Sequence, residues 1–159
     1  TIALAAGVND ITLTNGSNNF DTVGITSGNN VSLTDANART LNASTVSGNF
    51  ITNAINLTIG GVVTSTGGSL NLTGANSVAQ LASLTVNGAN TVTVTAAGGP
   101  ITMAPAATTS SGIGTINYTA GTNVTLGSLN TGGAVNVIAN GGSVLSAAGS
   151  GTNITAGAK

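Results

Sequence analysis

Short runs of alternating apolar and polar residues recur along the chain, and residues 84–103 show the pattern most clearly. Three runs, Leu84–Val86, residues 91–95 and Ile101–Met103, are separated by segments rich in Asn, Gly, Ala and Pro. In an extended strand, residues two apart point to the same side, whereas Asn, Gly and Pro favour turns. The stretch therefore predicts a strand–turn–strand unit with a buried aliphatic face and a face of threonine hydroxyls.

The same unit recurs from end to end. Predicted strands that start at residues 70, 92, 116, 135 and 154 lie 19 to 24 residues apart, which is a period typical of solenoid repeats. The 24 glycines and the many β-branched residues oppose helix. We therefore predict an all-β fold, a right-handed parallel β-helix (β-solenoid) with about 20–24 residues per coil. Residues 1–159 are expected to form a single β-helical segment of a longer rod.

A β-sandwich is the alternative architecture, because it also uses short strands at this spacing. Antiparallel hairpins favour two-residue Asn-Gly turns, and such pairs occur at Asn15-Gly16, Asn87-Gly88 and Asn140-Gly141. A sandwich would usually carry more aromatic and charged residues than this chain does. The Thr/Ser-rich residues 106–112 are predicted to form a bulging loop.

The alternation also predicts which side chains line the interior. Aliphatic residues that alternate with Thr, Ser or Asn should stack from coil to coil as an inward ladder. The predicted ladder consists of Ile11, Leu13, Val31, Leu33, Ile55, Leu57, Leu70, Leu72, Leu84, Val86, Val92, Val94, Ile116, Val124, Leu126, Val135 and Val137.

Composition excludes several classes of function. Charged residues make up 3% of the chain, the formal net charge is -1, and the sequence contains no Cys, His, Glu or Trp. There is no basic patch for nucleic acid, and neither a disulfide framework nor a zinc site can form. Mean hydropathy is +0.39, yet no uninterrupted apolar run approaches the ~18 residues of a spanning helix. We expect no nucleic-acid partner and no membrane insertion.

The few ionisable residues give a poor case for catalysis or metal binding. Asp10, Asp21 and Asp35 recur at intervals that could bring two carboxylates onto neighbouring coils, and Arg39 is the only plausible cationic partner. Solvated turn residues explain the aspartates equally well, and a surface Asp35–Arg39 pair would contribute little to stability. The Gly-Gly pairs are not followed by Asp, as a calcium-binding β-roll requires. We expect no enzyme, no cofactor and no metal site.

Residues 29–52 carry a more specific signal. The run Asn30-Val31-Ser32-Leu33, the following Asp35-Ala36-Asn37, Leu41 and residues 44–49 resemble the repeat of the filamentous haemagglutinin family of two-partner-secreted bacterial exoproteins. The resemblance implies a right-handed β-helical rod, secreted through an outer-membrane partner and displayed on the bacterial surface or released. In that light the chain would be an adhesin-like shaft segment, with a host or neighbouring cell as its target surface.

Two other functions remain open. A solenoid segment without charged caps could stack end to end with copies of itself into an extracellular fibre. Ranked hydroxyls such as those of Thr93 and Thr95 invite an ice-binding hypothesis, although equivalent strands carry Asn71 and Asn117 at the first of these positions.

Asn-x-Ser/Thr triplets are a further candidate feature, because they are acceptors of N-linked glycans in secreted chains. Most of them overlap the polar–apolar–polar start of a predicted strand, so the repeat itself explains their abundance. The candidate acceptors are Asn30, Asn56, Asn71 and Asn123.

Overall fold

The computed structural model describes residues 1–149 and 151–157, and it builds this part of the chain from short strands. No helix occurs among the described residues, and hence none that is long and apolar enough to cross a membrane. The strands are β1 (Ile2–Ala5), β2 (Ile11–Leu13), β3 (Thr22–Ser27), β4 (Val31–Thr34), β5 (Arg39–Leu41), β6 (Ser44–Val46), β7 (Phe50–Ile59), β8 (Val63–Ser65), β9 (Leu70–Gln80), β10 (Leu84–Val86), β11 (Val92–Ala96), β12 (Ile101–Met103), β13 (Thr108–Ser111), β14 (Ile116–Ala120), β15 (Val124–Leu126), β16 (Ser128–Thr131), β17 (Val135–Ala139), β18 (Val144–Ser146) and β19 (Ile154–Ala156).

Strand pairing decides between the two predicted architectures. All strand pairs in the described ranges are parallel, and each strand pairs with strands one coil earlier or later in the chain. Val31 pairs with Phe50, Phe50 with Leu70, and Leu70 with Val92. The chain is thus a parallel β-helix of about 7 turns, which confirms the predicted solenoid. The alternative of a β-sandwich is excluded, because a sandwich needs antiparallel hairpins.

The coils enclose a three-sided interior. The first face consists of β2, β4, the first half of β7, the first half of β9, β11, β14 and β17. The second face continues through β3, β5, the later halves of β7 and β9, β12, β15 and β18, with β1 stacked on β3. The third face is a separate sheet of β6, β8, β10, β13, β16 and β19. At about 4.8 Å per coil, seven coils make a rod on the order of 35 Å long.

Most predicted ladder residues lie in the interior. The buried ones are Ile11, Val31, Leu33, Leu57, Leu70, Leu72, Leu84, Val86, Val92, Val94, Ile116, Val124 and Leu126. Leu13, Val135 and Val137 pack against this core but are only partly buried. They lie on β2 and β17, each of which pairs with a single neighbouring strand, so one side of these residues has no covering coil.

Ile55 was predicted to point inward, and this prediction is wrong, since its side chain is 40% exposed. The pairing of β7 with β9 shifts register between Ala54 and Asn56, where the chain turns the corner from the first face to the second. At this corner two consecutive residues of β7, Ile55 and Asn56, lie outside the core, so the alternation of sides changes there. Ala54 and Leu57 therefore point inward, and Ile55 points out.

The same corner explains a glycine in the neighbouring coil. Gly74 pairs with Ala54 and with Ala96 at the end of the first face. A Cβ atom at Gly74 would lie 2.1 Å from the carbonyl oxygen of Ser77, so no side chain fits there. Small residues at this position let the backbone bend sharply between two faces.

Residues 106–112 were predicted to be a loop, yet Thr108–Ser111 forms strand β13 of the third face. Leu84 pairs with Thr109, and Val86 with Ser111, so hydroxyl side chains take the inward positions that aliphatic residues hold one coil earlier. The prediction was wrong because it used local composition alone. Pairing with β10 and β16 on the two neighbouring coils stabilises β13 as a strand.

Candidate functional site

The first face presents two outward columns of uncharged polar side chains. Strand register places Asn71, Thr93, Asn117 and Asn136 in one column. Within it, the Asn136 side-chain amide donates to Asn117 Oδ1 over 2.8 Å, and the Asn117 amide donates to Thr93 Oγ1 over 3.5 Å. The second column consists of Thr73, Thr95 and Thr119, and it ends at the exposed apolar residue Ile138. This face can offer hydrogen bonds to water or to a neutral polar surface, but no charge.

The second and third faces each present one outward column. Both columns are rich in hydroxyl groups, because each short strand has a single outward residue between two inward ones. They consist of Thr40, Thr58, Ala79, Thr102 and Thr125 on the second face, and of Thr45, Thr64, Thr85, Ser110, Asn130 and Thr155 on the third. The hydroxyl groups of these columns can form hydrogen bonds with water.

A ladder of side-chain hydrogen bonds joins successive coils at the corner before the first face. Asp10 Oδ1 accepts from the backbone N–H of Asn30 at 2.9 Å, Asn30 Oδ1 accepts from the N–H of Asn49 at 3.0 Å, and Asn49 Oδ1 accepts from the N–H of Ser69 at 2.9 Å. Ser69 Oγ then accepts from the N–H of Thr91 at 3.0 Å. Asp10 is thus a structural acceptor in this ladder.

The interior holds a buried polar cluster that the sequence analysis missed. The Tyr118 hydroxyl donates to Gln80 Oε1 at 2.5 Å, and it accepts from Thr109 Oγ1 at 2.6 Å. The Gln80 side-chain amide donates to Thr109 Oγ1 at 2.9 Å. Burial raises the pKa of Tyr118 well above its ordinary value of 10.0. Gln80 aligns with Ile59 and Met103, and this polar residue in an aliphatic ladder was the available signal.

The sequence analysis considered Asp35 and Arg39 as a pair at the surface, and the structure instead buries both residues. Arg39 is 2% exposed, and Asp35 is 6% exposed. Arg39 occupies the inward position that Leu57 holds in the next coil, and its Nη2 donates to the backbone oxygen of Asn53 at 2.6 Å. Its Nε and Nη1 are buried without a hydrogen-bond partner. Desolvation lowers the pKa of Arg39, and the charge of Asp35 opposes that shift.

The aspartates do not assemble into a site for acid–base chemistry. Asp10 belongs to the corner ladder, Asp21 is exposed, and Asp35 accepts from the backbone N–H groups of Phe20 at 2.8 Å and Asn37 at 3.0 Å. In the described part of the chain, no group of three or more metal-ligating side chains comes together. A cleft of about 200 Å³ lies near the first coils, and its lining residues carry no ionisable side chain: Gly7, Val8, Thr26, Ser27, Gly28, Thr45, Val46, Ser47 and Thr66.

Known proteins do not add to this picture. Comparisons with protein-family models, with curated proteins and with solved structures found no match. The resemblance of residues 29–52 to filamentous haemagglutinin repeats therefore rests on those residues alone. The case for a function depends on the repeated coils and on their outward chemistry.

The candidate glycan acceptors differ in how their amides are engaged. The Asn30 amide donates to Asp10 Oδ1 at 3.2 Å. Asn56 Oδ1 accepts from the Ser77 hydroxyl at 2.9 Å, and Asn123 Oδ1 accepts from the N–H of Ser143 at 2.8 Å. Asn71 is exposed in the middle of the first face.

Proposed function

We propose that the chain is a non-enzymatic structural segment of an extracellular rod, a shaft like those of filamentous haemagglutinin-type exoproteins on the bacterial surface. One observation carries the proposal: about seven parallel coils stack around a largely aliphatic interior, with neutral polar columns outside. Such a rod holds whatever lies at its ends a fixed distance apart. The target would be a host or neighbouring cell, contacted by parts of the protein at the end of the shaft.

Nearest-neighbour stacking explains how the shaft resists deformation. Each coil contributes backbone hydrogen bonds to the coils before and after it, and its inward side chains pack against those of the same neighbours. In such quasi-one-dimensional proteins, stability is approximately a sum over repeats and their interfaces. Length can therefore change by whole coils without loss of the fold.

A tandem-copy experiment tests the shaft. Two copies of residues 1–157 joined in register should form a single rod about twice as long as one copy, on the order of 70 Å, when measured by small-angle X-ray scattering. Two separate bodies joined by a flexible hinge would contradict the proposal. Labelling of intact producing cells with an antibody against the segment tests the surface location independently.

A self-assembling fibre is the second candidate, and the terminal coils favour it. Ile2 is 37% exposed at one end, while Val144 and Ile154 are 51% and 44% exposed at the other. β1 and β18 each pair with one strand, so their outer edges are open to a further parallel coil. Electron microscopy of the isolated segment distinguishes the two candidates, because monomeric short rods support the shaft and threads that lengthen with concentration support the fibre.

Ice binding is the least supported alternative. The register stacks Thr93 between Asn71 and Asn117, so the first outward column of the first face does not repeat threonine from coil to coil. A flat ranked array of threonines is what that hypothesis requires. A freezing-hysteresis measurement on the purified segment tests it, and clear hysteresis would favour ice binding over the shaft.

A further inference from the structure

The buried polar cluster places a hydroxyl nucleophile beside a carboxamide. Gln80, Thr109 and Tyr118 are each 0% exposed, and the side chain of each is hydrogen-bonded to the other two. A hydroxyl and a carboxamide can combine into an ester when the amide nitrogen leaves as ammonia. We propose that Thr109 and Gln80 become joined by such an ester in the folded rod, with the Tyr118 hydroxyl as the proton relay.

The distances in the cluster bring the reacting atoms together. Thr109 Oγ1 lies 2.9 Å from Gln80 Nε2, and Nε2 is bonded to Cδ, so the hydroxyl oxygen is close to the carbon that it attacks. Nε2 also donates to the Thr108 carbonyl at 3.3 Å, which orients the carboxamide. Rotation about the Gln80 Cγ–Cδ bond turns the face of Cδ toward Oγ1. Well-oriented groups within one molecule reach effective molarities of about 10⁵–10⁸ M.

The Tyr118 hydroxyl connects the nucleophile to the carbonyl oxygen. Thr109 Oγ1 donates to Tyr118 Oη at 2.6 Å, and Oη donates to Gln80 Oε1 at 2.5 Å. When Oγ1 forms its bond to Cδ, the Thr109 proton passes to Oη and the Tyr118 proton passes to Oε1. The tetrahedral intermediate is therefore neutral. This matters because an unpaired charge in a buried interior is costly.

Ammonia leaves in the second step. The proton on Oε1 passes through Tyr118 Oη to Nε2, the bond between Cδ and Nε2 breaks, and Oε1 becomes the carbonyl oxygen of the ester. Tyr118 is left unchanged, and the reaction consumes no other reagent. Burial excludes the water that would hydrolyse the ester. Ammonia that reaches neutral solution is protonated there, which withdraws it from the reverse reaction.

The ester ties two successive coils together by a covalent bond. Gln80 is the last residue of β9 on the second face, and Thr109 lies in β13 on the third face of the next coil. Neighbouring coils are otherwise held by hydrogen bonds and packing. A covalent cross-link stabilises a fold mainly by constraining the unfolded chain. The assignment holds whether the rod is a shaft segment or a fibre subunit.

Mass spectrometry of the purified folded chain, followed over days at neutral pH, tests the cross-link. The intact mass should become lower than that of the sequence by one ammonia. Proteolysis should then yield two peptides joined through Gln80 and Thr109. Mild alkaline hydrolysis should separate this pair and leave a glutamate in place of Gln80, which distinguishes an ester from an amide link.

Three variants assign the roles. Thr109→Val lacks the nucleophile and should keep the full mass. Tyr118→Phe should form the link at least about 100-fold more slowly, because a positioned proton-transfer group contributes about 10²–10⁴-fold. Ser110→Ala is the matched control, since Ser110 points outward on the same strand as Thr109, and it should lose ammonia like the unmodified chain.

The unmodified chain alone can overturn the ester, so the test does not depend on the folding of any variant. A folded chain that keeps its full mass contradicts the proposal. A loss of ammonia that maps to an Asn-Gly pair, where a succinimide forms, also contradicts it, as does a loss that persists in folded Thr109→Val. Formation of the link in Tyr118→Phe at the unmodified rate would overturn the relay. Circular dichroism shows which variants keep the β-rich fold.

Discussion

The Tyr118 hydroxyl donates a hydrogen bond of 2.5 Å to Gln80 Oε1 across the interior of the rod. Tyr118 belongs to β14 on the first face and Gln80 to β9 on the second, two coils earlier. Thr109 of β13 on the third face completes the cluster from the intervening coil. Three faces and three successive coils thus meet at one polar cluster inside the rod.

Removal of the Tyr118 hydroxyl should destabilise the rod. In Tyr118→Phe, Gln80 Oε1 and the Thr109 hydroxyl lose a buried partner, and an unsatisfied buried polar group costs about 1–3 kcal/mol. We expect the free energy of unfolding, measured by urea denaturation, to fall by that amount. Thr119→Val is the matched control, because Thr119 points outward on the same strand and its change should stay within about 0.5 kcal/mol. Equal stabilities of the two variants would show that the cluster contributes nothing.

Stability should also fall in alkaline solution because of the same residue. Burial raises the pKa of folded Tyr118 above the ordinary value of 10.0 that applies in the unfolded chain. The unfolded chain therefore releases this proton first as the pH rises, so the contribution to stability is complete below pH 10.0 and decreases above it.

Denaturation at a series of pH values around the ordinary tyrosine pKa measures this effect. The chain has one tyrosine, so the tyrosinate absorbance band reports on Tyr118 alone, and it should rise only as the protein unfolds. Tyr118→Phe should lack this part of the alkaline loss. A tyrosinate signal that develops at pH 10.0 in folded protein would contradict the buried position.

Opposite sides of β9 should respond differently to truncation. Leu72 is 0% exposed. The substitution Leu72→Ala should lower the free energy of unfolding by about 2–5 kcal/mol, because packing contacts are lost and a cavity remains. Asn71→Ala on the outward side should change stability by less than about 0.5 kcal/mol. Thermal melts followed by circular dichroism compare the two, and Leu72→Asp should unfold the rod. If Leu72→Asp melted at the temperature of the unmodified chain, the inward assignment would be wrong.

Arg39 should be replaceable by an apolar residue of similar length. Its buried Nε and Nη1 lack partners, and apolar replacement of buried ions is often neutral or stabilising by about 1–4 kcal/mol. We therefore expect Arg39→Met to unfold at an equal or higher urea concentration than the unmodified chain. Arg39→Ala, which removes the same charge but leaves a cavity, should be clearly less stable. If both variants lost stability equally, the bond from Nη2 to Asn53 would outweigh the cost of burial.

Sequence reasoning worked best where one rule governs a position. Alternation in Leu70-Asn71-Leu72 and in Val92-Thr93-Val94 is a local property of extended backbone, and the structure buries these apolar residues as that rule requires. The spacing of successive strands likewise predicted parallel coils of 19 to 24 residues.

By itself, the sequence determined most of the inward ladder, through the two-residue repeat of a strand, and the coil length, through the spacing of successive predicted strands. Only the tertiary structure decided the side on which Ile55 lies, the burial of Arg39 and the formation of β13. The physical reason is that a bend at a corner changes which side of the strand faces the core. In addition, the backbone N–H and C=O groups of a neighbouring coil can pair with a Thr/Ser-rich segment as well as with an aliphatic one. Those effects depend on what is stacked above and below, which no local pattern contains.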